Sequence, residues 1–152
     1  MAVIGKSIRM VGLCSQFTIH NSQLTYIHEH RDKVRDYECD IQGIVNNANY
    51  QHYLEHARHE FLASKGVSFA ELHEQGIDCV VARIDMRFKY PLRGMDEYIV
   101  RNNLVKEGIR YIFLQDIYRA SDNKLCLKGK VEVVCLINGQ LGDSDALMQK
   151  IL

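Results

Sequence analysis

The sequence predicts an α+β domain in which an antiparallel sheet of five strands packs on one long helix. Three observations lead there. Apolar residues recur at three- and four-residue steps through residues 48–62. The period then changes to two in residues 80–88. Three more strand-like runs follow, and four consecutive strands joined by tight turns after a helix mean an antiparallel sheet packed on that helix.

Taken in order, residues 24–37 read as a polar first strand, with Thr25, Tyr26 and Ile27 its best β-formers. The helix comes next and is expected to run for about five turns. Ala48, Tyr50, Tyr53, Leu54, Ala57, Phe61 and Leu62 make its apolar stripe, and His52, Glu55, His56 and His59 fall mostly opposite. Gly66 is placed to end it. Residues 69–75 read as a short second helix closed by Gly76. In the next run Val80, Ala82, Ile84, Met86 and Phe88 share a face expected to be buried. Val81, Arg83, Asp85, Arg87 and Lys89 share the other. Strands are expected at residues 98–106, 109–119 and 125–137, with turns at Gly108 and Ser121-Asp122-Asn123. Asn138-Gly139 marks one more turn.

Residues 1–23 read as an extension with little order of its own, and residues 24–152 as the single domain. The apolar run at residues 10–14 is too short for a signal-peptide core or a bilayer span. A chain of 152 residues with 47% hydrophobic and 25% charged residues can bury one core. Nineteen basic residues cancel nineteen acidic ones, which argues against nucleic acid or an anionic membrane as partner. Five cysteines, odd in number and without CxxC spacing, fit a reducing cytoplasm.

The chemistry-bearing stretch precedes the long helix. Asp40 stands in an irregular turn, then come Gly43, Asn46 and Asn47. Both asparagines are good N-cap types. The N–H groups left free at a helix start, with the helix dipole, favour an oxygen that is gaining negative charge. Gly43 allows the bend without a side chain in the way. A carboxylate just ahead of N–H donors suits attack on a carbonyl carbon, although an Asp that only closes a turn has the same local pattern.

Asp40, Gly43, Ile44-Val45, Asn49-Tyr50, Glu55 and Ala57-Arg58 fit the pattern D-x-x-G-[IV]-V-x-x-x-[NS]-Y-x-x-x-x-E-x-A-R. This stretch resembles the 4-hydroxybenzoyl-CoA thioesterase family, in particular its YbgC-like acyl-CoA thioesterase branch. The likeness continues through Arg87-Phe88-Lys89-Tyr90-Pro91 and Asp96-Glu97. The resemblance implies the hotdog fold, with an active site formed between two subunits of a homodimer or a tetramer of dimers. It implies hydrolysis of an acyl-CoA thioester, with coenzyme A as part of the substrate and no separate cofactor. Asp40 is then general base or nucleophile, the backbone N–H of Asn47, with Asn46 beside it, polarises the carbonyl, and Gly43 permits the turn. Glu55 takes a supporting role, and Tyr50 lies against the substrate. Relatives often carry His or an aromatic residue where Asn47 stands, so only the backbone donor carries over and the acyl preference stays open.

Arg83, Arg87 and Lys89 alternate along one strand face, and Arg93 follows Pro91. A solvated sheet face has this pattern. With coenzyme A as ligand, Arg87, Lys89 and Arg93 become candidates for its phosphates. Hydrolysis from acyl carrier protein is the alternative reaction, and a non-catalytic acyl-thioester binding protein the alternative class. No metal site is expected: His52 and His56 lie one turn apart and His28 and His30 alternate, but neither HExxH nor Cys/His ligand spacing occurs. The serines lack a G-x-S-x-G elbow. Cys39, beside the charge of Asp40, is expected to stay a thiol.

Overall fold

The computed structural model describes residues 25–151. The extension read over residues 1–23 lies outside them. Strand β1 (His28–Lys33) is followed by helices α1 (Asn47–Ser64) and α2 (Phe69–Glu74). Strands β2 (Ile77–Phe88), β3 (Glu97–Glu107), β4 (Arg110–Arg119), β5 (Lys124–Ile137) and β6 (Gln140–Gly142) come next, and helix α3 (Asp145–Ile151) follows. All pairings are antiparallel, in the order β1-β3-β4-β5-β2. Short β6 turns back on the end of β5 through Asn138-Gly139, both at positive φ.

The curled sheet closes around α1. Tyr50, Tyr53, Leu54, Ala57, Phe61 and Leu62 pack with Val100, Leu104, Phe113, Leu127, Val131 and Val133 in one core. Gly129 sets how closely the helix can sit: a Cβ there would lie 2.8 Å from Leu54 Cδ1 and 3.0 Å from the Gln115 carbonyl. Leu54 therefore occupies the space that any other residue at 129 would take.

The structure corrects four details of the sequence reading. First, β1 is shorter than residues 24–37, because after Lys33 the chain turns through a 3-10 segment, Asp36–Glu38. Second, Ala48 is exposed on α1, whereas Arg58 is buried. Third, the sheet has a sixth strand and the chain a third helix, whose Leu147 and Ile151 enter the core.

The fourth correction concerns β2. A bulge at Ala82 breaks its register: Val81 pairs with Val133, and the next paired residue, Arg83, with Glu132. Alternation therefore changes phase. Ile77, Cys79 and Val81 before the bulge share the inner face with Ile84, Met86 and Phe88 after it, while Val80 faces out with Arg83, Asp85 and Arg87. The inner face is also incompletely covered. Val81 and Phe88 stay 47% and 51% exposed, because β2 is an edge strand.

Candidate active site

Asp40 sits at the first corner of a tight turn. Its carbonyl accepts from the Gly43 N–H at 2.9 Å, its N–H donates to the Ile44 carbonyl at 2.9 Å, and its Oδ1 accepts from the Gln42 N–H at 2.8 Å. Gly43 has φ +72° with open space where a Cβ would stand, so the backbone conformation itself selects glycine. One carboxylate oxygen thus holds the turn. The other accepts no hydrogen bond from the described residues.

The turn is tied to the start of α1. The Glu38 carbonyl accepts from the Asn46 N–H at 2.9 Å and from Asn49 Nδ2 at 2.7 Å. Asn46 is the N-cap, its Oδ1 accepting from the Ala48 N–H at 3.0 Å, and the Asn49 N–H donates to the Asn46 carbonyl at 2.9 Å. Three of the four leading amides are therefore engaged. Only the Asn47 N–H donates to no group among the described residues. Asn46 was a candidate second donor to a carbonyl oxygen; its N–H is taken by Glu38 and its side chain by the cap.

Asp40, Asn47, Tyr50 and Lys89 line one open cleft of about 510 Å³, with Ile44, Val45, Phe88, Tyr90 and Pro91. Its far wall, the segment after β2, is held by backbone. Val45 N–H donates to the Leu92 carbonyl at 2.9 Å, Ile44 and Arg93 form a bridge, and the Leu92 N–H donates to Tyr50 Oη at 2.9 Å. Tyr50 is almost wholly buried, and burial pushes its phenol pKa up, while the Leu92 N–H pulls the other way. Tyr50 therefore stays neutral where it lines the cleft. The Cys39 thiol is pushed up chiefly by burial and then by Asp36, Glu38 and Asp40, so it stays protonated at neutral pH.

The other predicted site residues lie apart. Glu55 is eight residues beyond Asn47, about 12 Å along the helix. It borders a mostly apolar hollow of about 250 Å³ with Arg58, His59, Phe69, Cys79 and Tyr111. Arg87 points to the outer sheet face, where it pairs with Asp85 at 3.5 Å beside Lys128 and Lys130. The supposed basic row therefore divides: Lys89, beyond the strand end, reaches the Asp40 cleft and Arg87 does not. Arg93 neighbours Ile44 through its backbone but does not line the cleft.

Sequence reasoning missed two buried supports. Glu38 is 8% exposed, and its Oε2 accepts from Tyr53 Oη and from the Arg35 N–H, both at 2.7 Å. Under α1, Gln115 Nε2 donates to the Leu54 carbonyl at 2.9 Å and to Asn102 Oδ1 at 2.7 Å, while Gln115 Oε1 accepts from Arg58 at 2.9 Å. Burial lowers the Arg58 pKa and Glu55 opposes that shift. Asn102 and Gln115 stand at buried strand positions, where single-sequence periodicity gives polar residues no weight. Glu38 lies in the 3-10 segment, which has no such period. The structure also gathers His30 and Asp32 of β1 with His56 of α1.

Residues 34–150 match the sequence model of the Thioesterase-like superfamily. The chain is 35% identical over 116 residues to the chloroplastic acyl-acyl carrier protein thioesterase ATL3 of Arabidopsis thaliana, covering 76% of this chain and 61% of that protein. It thus spans about three fifths of that relative. A hypothetical protein of Aquifex aeolicus has a solved structure that superposes with TM-score 0.76 at 27% identity, over 82% of this chain and 99% of that one. The 1,4-dihydroxy-2-naphthoyl-CoA thioesterase of Synechocystis superposes equally well, TM-score 0.76, at 16% identity over 81% and 93%. With the curled sheet closed around one helix and a family match over most of its length, the chain belongs to the thioesterase-like superfamily and has its hotdog fold.

Proposed function

We propose that this chain hydrolyses an acyl-CoA thioester to the free acid and coenzyme A, in the manner of the 4-hydroxybenzoyl-CoA thioesterase branch. The observation that carries the reading is the shared cleft: Asp40 and Asn47, whose N–H donates to no group among the described residues, line one open space at a helix start. The carbonyl oxygen sits at the Asn47 N–H, where the helix dipole adds to the donor. Asp40 takes a proton from water, or attacks the carbon itself. The leaving thiolate needs little help, since its conjugate thiol has a pKa of about 8.5. Lys89 at the cleft is suited to a phosphate of the carrier arm. Glu55 supports catalysis only if an assembly brings it to a cleft. That assembly is a homodimer or a tetramer of dimers, and four free cysteines among the described residues fit a reducing, cytoplasmic setting.

The 35% identity to a plant acyl-acyl carrier protein thioesterase favours a second reading, in which acyl carrier protein replaces coenzyme A. Both carriers present the same pantetheine thioester. Thiol release from a panel of acyl-CoAs and acyl carrier protein thioesters, measured on the wild type and on Asp40→Asn, tests both. Asparagine keeps the Oδ1 acceptor for Gln42, so the fold should hold, while turnover falls by about 10² to 10⁴. Near-normal turnover by well-folded Asp40→Asn overturns the assignment, and lost turnover with a collapsed melting temperature returns Asp40 to a turn role.

A further inference from the structure

His30 and Asp32 lie on the inner face of β1, and His56 projects from the exposed side of α1 beside them. One ligand-type atom from each lies within 4.8 Å of the other two. The two imidazoles meet edge to face with centroids 4.7 Å apart. His30 Nε2 is buried and has no hydrogen-bond partner among the described residues. A buried ring nitrogen without a partner costs free energy, and a cation that accepts its lone pair removes that cost.

We propose that His30, Asp32 and His56 form a site for a divalent transition metal ion of the zinc type. Two imidazole nitrogens and a carboxylate oxygen are a donor set that such ions take readily, with water completing a tetrahedron. Donors about 2.0–2.1 Å from a metal stand roughly 3.3 Å apart in that geometry. The donor atoms already lie within 4.8 Å of one another, so closure calls for shifts of about 1.5 Å or less between them. Asp32 has partners that binding would rearrange: its Oδ2 meets Arg35 at 3.3 Å, its Oδ1 accepts from the Lys33 N–H at 2.7 Å, and the buried Tyr98 phenol interacts with it. The Arg35 pair is the weakest of these. His28, the other inward histidine of β1, is already bonded to Asn102 Nδ2 at 3.1 Å and stays outside the set. The bound ion clips β1, a sheet edge, to the central helix. This site is separate from the Asp40 cleft and does not depend on the thioesterase reading.

The test uses the full chain, stripped with chelator and titrated with Zn²⁺ by calorimetry and with Co²⁺ by visible absorption. The expected result is one ion per chain, ligand-field bands of low-coordinate Co²⁺, and a higher melting temperature with Zn²⁺. Loss of an outer partner of a metal ligand costs 10- to 100-fold in affinity, so His56→Ala should cost at least about 100-fold. His56 is exposed, and its replacement leaves the fold intact; His30→Ala should match it, and His52→Ala, on the same helix, should bind as the wild type. Failure of the wild type to bind, or equal losses in His52→Ala and His56→Ala, overturns the site.

Discussion

The Tyr53 hydroxyl donates to Glu38 Oε2 at 2.7 Å inside the protein, and this bond ties the middle of α1 to the turn that carries Asp40. The same Glu38, through its carbonyl, receives the N-cap amide and the Asn49 side chain. Glu38, two residues before Asp40, thus ties the turn to α1 twice, by its carbonyl at the helix start and by its buried carboxylate at Tyr53. Desolvation and the bond to Glu38 both push the Tyr53 phenol pKa up, so it remains a donor across the accessible pH range. Tyr53→Phe leaves Glu38 with one donor fewer in a buried setting and should cost about 1–3 kcal/mol in urea unfolding. Turnover at a temperature where the variant is fully folded should fall as well, because the turn loosens.

Gly43→Ala should destabilise by about 1–2 kcal/mol, the cost of a Cβ in the left-handed region. Space is not the issue, since nothing lies within 4 Å of the added carbon. Gly43→Asn should therefore cost less than Gly43→Ala, because asparagine tolerates positive φ. Thermal melting of the pair decides it: equal losses would mean that something other than φ selects glycine.

Lys89→Ala should raise KM for acyl-CoA several-fold and leave KM for a truncated pantetheine thioester unchanged. Arg87→Ala and Arg93→Ala should change neither, since both lie outside the cleft that holds Asp40 and Lys89. An equal effect of Lys89→Ala on both substrates would remove its role at a carrier phosphate.

The two edges of the sheet differ in kind. Strand β1 reads HEHRDK, and charge of that density discourages pairing with another chain. Strand β2 leaves Val80, Val81 and Phe88 exposed along an unpaired edge. Light scattering should give at least twice the chain mass at micromolar concentration, and Val80→Asp should shift the protein toward monomer. A clean wild-type monomer would remove the shared-site assembly.

Much of the fold was legible because it follows from local periodicity. A helix of Tyr50, Tyr53, Leu54, Ala57, Phe61 and Leu62 buries one stripe, and the last three runs, β3, β4 and β5, pair in order through their turns. The place of β2 was not legible: it lies beside β5 at the sheet edge and not beside β3. Nor was its register. Its bulge at Ala82 exists because β5 sets where Arg83 meets Glu132, and no local preference of β2 encodes that. Ala48 lies on the stripe by count, yet in the first turn of α1 it is exposed.

At the site, the order Asp40, Gly43, Asn46, Asn47 determined by itself a turn, a cap and a helix start, because each depends on residues within a few positions. Gly43 at φ +72° and the Asn46 cap are local events of that kind. Only tertiary structure decided which groups share a space. It left the Asn47 N–H without an acceptor among the described residues while Glu38 took that of Asn46, and it brought Lys89 to the cleft of Asp40 while sending Arg87 to the opposite face. It also buried Arg58 against Gln115 and set His56 beside His30 and Asp32. These are contacts between distant parts of the chain, chosen by how the sheet curls around the helix and where the edge strands fall, and that geometry is a property of the whole packed core.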